Sequence, residues 1–141
     1  SYKTLLNIAY SECAGILHKA LIQIAQDDYS RVNQDTIHPI GSYCGMRSQG
    51  DETISWNDSS RNIFNFIRSI CKPGPIARTK NGKNEIYING SKYIKNAPDY
   101  IGTPGQVLKK TQDGFLVKTN DSFIEVYDFE GKIKVGDRLA K

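Results

Sequence analysis

The sequence has few residues of the kinds that bind metals or form disulfides. It contains three cysteines and two histidines in 141 residues, and no two cysteines lie close together. This set is too sparse for a zinc site and too irregular for a disulfide framework. We therefore predict a cytoplasmic protein without a metal site, in which Cys13 and Cys71 are reduced core thiols on apolar helix faces and Cys44 has no neighbouring histidine to activate it.

Long hydrophobic runs and a strong excess of one charge are also absent. No apolar run approaches the roughly 20 residues that a bilayer span needs. Hydrophobic residues make up 38% and charged residues 24% of the chain, with a formal net charge of +4. This composition is typical of a globular protein rather than a disordered one, and the length fits one domain or one domain with an appendage.

The positive charge is concentrated in one short stretch. Residues 1–71 carry a slight negative excess and residues 96–141 are neutral, whereas residues 72–95 contain a single acid, Glu85. The cations of this stretch are Lys72, Arg78, Lys80, Lys83, Lys92 and Lys95. If their side chains share one face, they form a patch that binds phosphate. If they belong to a solvated polar face, they contribute only solubility.

Two amphipathic helices are predicted. Apolar residues recur at three- and four-residue spacing from Leu5 to Ile24, and again from Ile63 to Cys71 within a helix over 57–71. The Lys-Pro-Gly-Pro sequence that follows ends the second helix. Between the helices, residues 36–41 are predicted to be extended, because a residue that precedes proline avoids the helical region.

The pattern changes to a period of two after residue 75. Short alternating segments are separated by Asn-Gly and Asp-Gly dipeptides, which are typical of tight turns. The predicted strands are 76–80, 85–89, 93–94, 106–110, 115–119 and 122–129, and residues 135–139 close the chain. We therefore predict an α+β fold in which N-terminal helices precede a small open antiparallel β-barrel.

Five short pieces of the sequence resemble, in their order, one known family. They are Ile54-Ser55-Trp56, Ile67-Arg68-Ser69, Pro73-Gly74-Pro75, Thr103-Pro104-Gly105-Gln106-Val107-Leu108 and Gly136-Asp137-Arg138-Leu139. The set resembles the C-terminal region of the folate-dependent formyltransferases, which act on methionyl-tRNA or on amino sugars. The family typically has Ile-Asp-Trp and Ile-Arg-Ala at the first two pieces, so this sequence departs from the pattern at Ser55 and at Ser69.

The resemblance implies how the chain is divided into domains and which part of the enzyme carries the catalytic residues. Residues 46–141 would be the family's C-terminal domain, a barrel of the oligonucleotide-binding (OB) type, and residues 1–45 the last helix and connector of a preceding catalytic domain. The family's catalytic asparagine, histidine and aspartate loop is absent from this sequence. We therefore expect no catalytic residue and no bound cofactor in this chain, which on its own would not transfer a formyl group. The intact enzyme would use 10-formyltetrahydrofolate.

Three residues are predicted to contact substrate. Tyr43 and Arg47 lie in the connector, where an interdomain cleft is expected. Arg68 lies on the second helix, and two roles are open for it. It forms a structural ion pair with one of the acids at positions 51, 52 and 58, or it reaches a substrate phosphate.

Two questions stay open: which acceptor the enzyme formylates, and whether the chain belongs to an enzyme or to a binding module. The segment between Tyr127 and Leu139 is shorter than in methionyl-tRNA formyltransferases, which resembles the enzymes that act on nucleotide-linked amino sugars. The alternative acceptor is methionyl-tRNA. Apart from the family, an OB-like module without enzymatic activity is the competing hypothesis. It would bind single-stranded nucleic acid or a protein, or form a homodimer through an edge strand at 122–129.

Overall fold

The computed structural model describes residues 1–140, and contacts divide them into two compact units. The smaller unit comprises residues 4–48. The larger one comprises residues 49–140 together with residues 1–3. Each unit has its own secondary structure.

The smaller unit consists largely of one long helix. This helix, α1 (Tyr2–Ala25), agrees with the predicted apolar periodicity, and none of its residues is buried. Leu17 and Leu21 are more than half exposed. Cys13 is exposed as well, so the prediction that it is a core thiol is wrong. No helix within residues 1–140 is long and apolar enough to cross a membrane.

A short helix replaces part of the extended segment predicted at 36–41. This helix, α2 (Gln34–Ile37), begins after Asn33, whose side-chain oxygen accepts a hydrogen bond from the Asp35 amide at 3.1 Å. The helix ends at His38, which precedes proline and has a non-helical backbone. The proline therefore stops the helix without preventing the preceding turn, because the asparagine cap stabilises that turn.

The larger unit is a six-stranded antiparallel sheet with one helix packed against it. The helix is α3 (Ser60–Ser69), shorter at both ends than the predicted 57–71. The strands are β1 (Ala77–Asn81), β2 (Asn84–Lys92), β3 (Val107–Lys110), β4 (Phe115–Lys118), β5 (Phe123–Glu130) and β6 (Leu139–Ala140). Their order in the sheet is β3-β4-β5-β2-β1-β6.

The sheet curls until its two edges meet. Gln106, just before β3, forms a bridge with Arg138, just before β6, and the Leu139 amide donates to the Gly105 carbonyl at 2.8 Å. Gly105 has φ +84°, and a Cβ there would overlap the Leu139 carbonyl oxygen. Only glycine fits this closure point. The predicted α+β class with an OB-like barrel is confirmed.

Strand β5 is paired on both sides. It lies between β4 and β2, with Val126 opposite Phe115 on one side and opposite Ser91 on the other. The prediction that residues 122–129 form an edge strand available for dimer pairing is therefore wrong. Val126 of β5 belongs to the barrel core and Phe129 packs against that core, whereas Tyr127 is 49% exposed.

The Asn89-Gly90 dipeptide lies within a strand and not in a turn. Strand β2 runs through it without interruption, and its register with β5 shifts at Gly90, as in a β-bulge. A Cβ at Gly90 would lie 2.7 Å from the Tyr127 ring, so glycine is needed for close approach rather than for a turn. The predicted separate strand at 93–94 is not formed.

The core lies between α3 and the inner face of the sheet. Ile63 and Ile67 of α3 are buried against strand residues. Trp56 is also buried, and its indole Nε1 donates to the Thr79 hydroxyl at 2.9 Å, which donates in turn to the Ala140 carbonyl. The remaining core residues are Ile54, Ala77, Ile86, Ile88, Val107, Val117, Ile124, Val126, Ile133 and Leu139.

Candidate functional site

The six cations of the basic stretch are distributed over the larger unit. Arg78 and Lys80 lie on the outer face of β1, and Lys83 lies in the turn before β2. Lys92 ends β2, whose nine residues extend over about 26 Å. The six side chains therefore do not form one continuous patch. That any of them binds phosphate stays a prediction.

The outer face of β1 and β2 combines cations with carboxylates. The Arg78 guanidinium donates to the Glu52 carboxylate at 2.9 Å, and this hydrogen bond raises the pKa of Arg78. The Tyr87 hydroxyl donates to Glu85 at 2.7 Å, which raises the pKa of Tyr87. Lys80 pairs in register with Glu85. We call Arg78, Lys80, Glu52, Glu85 and Tyr87 the paired-charge face, because its two cations lie beside two carboxylates.

Backbone pairing places Glu52 on this face. The Arg78 amide donates to the Glu52 carbonyl and the Ile54 amide to the Arg78 carbonyl, both at 2.8 Å. The segment that precedes Trp56 therefore extends the sheet beside β1. The Glu52 side chain is 8% exposed, so its carboxylate depends on the arginine for neutralisation.

Lys72 also has an acidic partner. Its ammonium lies 3.0 Å from the Glu130 carboxylate, and both side chains are more than half exposed. Such surface pairs contribute little to stability, but they reduce the charge presented to a ligand. Lys92 is opposite Glu125 in the sheet, so four of the six predicted cations have a carboxylate in contact or directly opposite.

A second group of cations lies on α3 and is backed by aromatic rings. The Arg61 guanidinium carbon is 3.9 Å from the centroid of the Tyr93 ring, and that of Arg68 is 5.2 Å from the Phe64 ring. The two rings are 6.1 Å apart. We call Arg61, Tyr93, Phe64 and Arg68 the α3 stack. Both distances are within the range of cation–π contacts.

Helical spacing assembles the α3 stack. Positions 61, 64 and 68 are three and four residues apart, so they share one face of α3. Tyr93 joins them from the residue after β2, because α3 packs on that strand. Both guanidiniums are exposed, and both rings are partly buried.

The prediction of an ion pair for Arg68 is wrong. Within residues 1–140, neither Arg61 nor Arg68 lies within ion-pair distance of a carboxylate, and Glu52 pairs with Arg78 instead. Helix α3 itself contains no acidic residue. Lys92 and Lys95 flank Tyr93 in sequence, and Glu125 pairs in register with Lys92. The surroundings of the stack therefore carry both signs of charge, because Arg68 also lines a cavity with Lys72 and Asp128.

Asp121 holds the beginning of α3 on the sheet. Its Oδ1 accepts hydrogen bonds from the Ser60 amide and hydroxyl, both at 2.8 Å, from the Ser122 amide at 2.9 Å and from the Thr119 hydroxyl at 3.0 Å. Burial alone raises the pKa of the carboxyl, but these hydrogen bonds outweigh it and lower the pKa to about 2. The carboxylate thus fixes the helix that carries the stack.

The three predicted substrate-contacting residues are divided between the units. Tyr43 and Arg47 lie in the smaller unit, where Tyr43 is fully exposed, and Arg68 lies in the larger one. Their contact with substrate stays a prediction. Sequence reasoning missed Arg61 and the stack as a whole, because Tyr93 is about 30 residues away and only the i, i+3, i+7 pattern on α3 signals it.

The fold and these surfaces define a small OB-like barrel domain with two ring-backed arginines on its helix. A family model described as "Formyl transferase, C-terminal domain" matches residues 47–136. The chain therefore belongs to the family of formyltransferase C-terminal domains, as the sequence predicts.

The similar curated proteins are named methionyl-tRNA formyltransferase. That of Mycoplasma mycoides subsp. mycoides is 32% identical over 136 residues, which cover 89% of this chain and 38% of the relative. That of Streptococcus agalactiae is 38% identical over 79 residues, covering 56% and 24%. The chain thus spans about two fifths of the Mycoplasma relative. These names favour the alternative acceptor over the amino sugar.

Proposed function

We propose that this chain is the acceptor-binding C-terminal part of an enzyme that formylates methionyl-tRNA. The observation that carries the proposal is the similarity over 89% of the chain to a protein of that name. An OB-like barrel with unneutralised cations on one side supports it, because RNA binding requires contacts to phosphates.

The formyl donor of such an enzyme is a folate, which requires a pocket for an aromatic pterin ring. The cleft over the paired-charge face holds about 210 Å³. Its walls are polar: Gln49, Gly50, Thr53, Arg78, Thr79, Lys80 and Glu85. Small-molecule pockets for such rings are largely apolar. The residues of this cleft do not fit the donor, and the contribution that we assign to this chain is acceptor binding.

A nucleotide-linked amino sugar is the second candidate acceptor. One observation favours it: only eight residues separate the end of β5 at Glu130 from β6, so the barrel lacks the longer segment expected of the tRNA enzymes. A sugar nucleotide carries two phosphates, far fewer than an RNA. The two acceptors therefore differ in the salt dependence of binding.

The test is a titration of the purified chain with methionyl-tRNA at several salt concentrations. We expect the logarithm of the binding constant to fall linearly with the logarithm of the salt concentration, by about 0.7 to 0.9 per phosphate contacted. A flat response with millimolar or weaker affinity contradicts the proposal. Binding of a nucleotide-linked amino sugar that tRNA does not displace would favour the second candidate.

A further inference from the structure

The α3 stack presents charge that the fold does not use for its own stability. The carboxylates of the larger unit that pair with cations, Glu52 and Glu130, are occupied by Arg78 and Lys72. Within residues 1–140, the guanidiniums of Arg61 and Arg68 lie over aromatic rings and form no ion pair with a carboxylate. Both guanidiniums are exposed and are therefore available to an anionic ligand.

The rings orient the two guanidiniums. A guanidinium that lies over an aromatic face keeps its N–H donors directed outward in its own plane, where they form a fork that fits a phosphate group. Stacking also limits the rotamers of the arginine, so less conformational entropy is lost when a ligand binds. The stack therefore has the arrangement of a preorganised phosphate-binding surface.

The spacing of the two arginines indicates an extended ligand. They are seven residues apart on α3, a rise of about 10 Å along the helix. One small phosphate does not contact both guanidiniums over this distance, whereas the backbone of a polynucleotide presents several phosphates. Lys92 and Lys95 lie on either side of Tyr93 in sequence, and Lys92 is opposite Glu125 in the sheet.

We propose that the α3 stack binds the sugar-phosphate backbone of the acceptor RNA, an inference that rests on the proposed function. Arg61 covers a face of the Tyr93 ring, so this face is not open for a base to stack on. Recognition at this surface therefore depends on phosphate positions and not on base identity.

The experiment compares glutamine variants of the full 141-residue chain in binding to methionyl-tRNA, by fluorescence anisotropy at several salt concentrations. Arg61→Gln and Arg68→Gln each remove one guanidinium. We expect each to weaken binding by roughly tenfold at low salt, and the double variant to weaken it by roughly a hundredfold. The salt slope of the double variant should fall by about 1.5.

Two further variants separate charge from geometry. Arg61→Lys keeps the charge but lacks the planar fork, so we expect weaker binding with an unchanged salt slope. Lys109→Gln removes an exposed cation of β3, away from α3, and is the matched control, for which we expect no more than a twofold change. Circular dichroism checks that every variant has the helix and strand content of the parent chain.

Three outcomes of the binding experiment would overturn or redirect the proposal. If the parent chain binds tRNA and the double variant binds it equally well, the stack is not the RNA surface, and the proposed function stands without it. If the parent chain does not bind tRNA, the proposed function fails and this inference fails with it. If poly-L-glutamate competes as strongly as tRNA and loses affinity for the same variants, the stack is a surface for acidic protein segments.

Discussion

The larger unit presents two cation-bearing surfaces that differ in what holds the cations. On the paired-charge face, Arg78 donates to the buried Glu52, and Lys80 is opposite Glu85. In the α3 stack, Arg61 and Arg68 lie over rings. The first surface uses its charge within the fold, and the second leaves it available. The number of cations in a sequence window therefore does not show how many of them lie beside a carboxylate.

The largest loss of stability is expected from truncating a core side chain of α3, the helix that carries the stack. Ile67 of α3 is fully buried, so Ile67→Ala leaves a cavity and should lower the free energy of unfolding by about 2–5 kcal/mol. Urea denaturation measures it. The matched control, Ile67→Val, should cost about 1 kcal/mol. If the alanine variant is as stable as the valine variant, α3 does not depend on this contact.

The next largest loss of stability is expected from replacing Asp121, whose carboxylate accepts hydrogen bonds from the start of α3. Asp121→Asn should lower the free energy of unfolding at neutral pH by about 1 kcal/mol, because a neutral side chain accepts the four hydrogen bonds less strongly. Thermal unfolding at pH 7 measures the loss. An asparagine variant of full stability would show that the hydrogen bonds do not need the charge.

The same residue gives a pH dependence whose sign follows from its pKa. The pKa in the folded protein is about 2, below the ordinary value of 3.8. The stability that Asp121 contributes is therefore present above about pH 4 and lost as the pH falls toward 2. The difference in stability between the parent chain and Asp121→Asn should narrow over this interval. A difference that stays constant from pH 5 to pH 2 contradicts the lowered pKa.

A comparable loss of stability is expected when Glu52, the buried acid of the paired-charge face, is replaced by a neutral residue. Glu52→Gln leaves Arg78 without its carboxylate, so we expect the melting temperature to fall by several degrees. The salt slope for tRNA should not change, because the surface that we propose for the RNA is the α3 stack and not this face. Glu85→Gln, at an exposed position of the same face, is the control. A steeper slope in the Glu52 variant would place RNA on this surface.

The smallest change in stability is expected from removing the surface ion pair between Lys72 and Glu130. Lys72→Gln removes the contact with Glu130, which is exposed, so the change in unfolding free energy should stay below about 0.5 kcal/mol. Chemical denaturation measures it, with Lys109→Gln as the control. A loss above 1 kcal/mol would mean that this pair, like the Glu52 pair, belongs to the fold.

Much of the fold is predictable from local pattern. The apolar periodicity places α1 and α3, and alternation with tight turns places most strands, because these signals depend on neighbours in sequence. Gly90 shows the limit. An Asn-Gly pair has the same local sequence in a turn as in a bulge, and only the approach of Tyr127 from β5 distinguishes them.

The candidate site is predictable only in part. Arg68 is identified from the resemblance, but its partner is not, because Phe64 and Glu52 are both plausible until the position of α3 on the sheet is known. Arg61 escapes notice since it lies outside the basic stretch. Its role depends on Tyr93, which reaches it only through the packing of α3 on β2.

The most direct test compares the salt dependence of methionyl-tRNA binding for two double variants. One is Arg61→Gln with Arg68→Gln, and the other is Lys80→Gln with Lys83→Gln. The account predicts that the arginine pair lowers the slope by about 1.5 and that the lysine pair leaves it unchanged. A lower slope for the lysine pair, with the arginine pair unchanged, would contradict it.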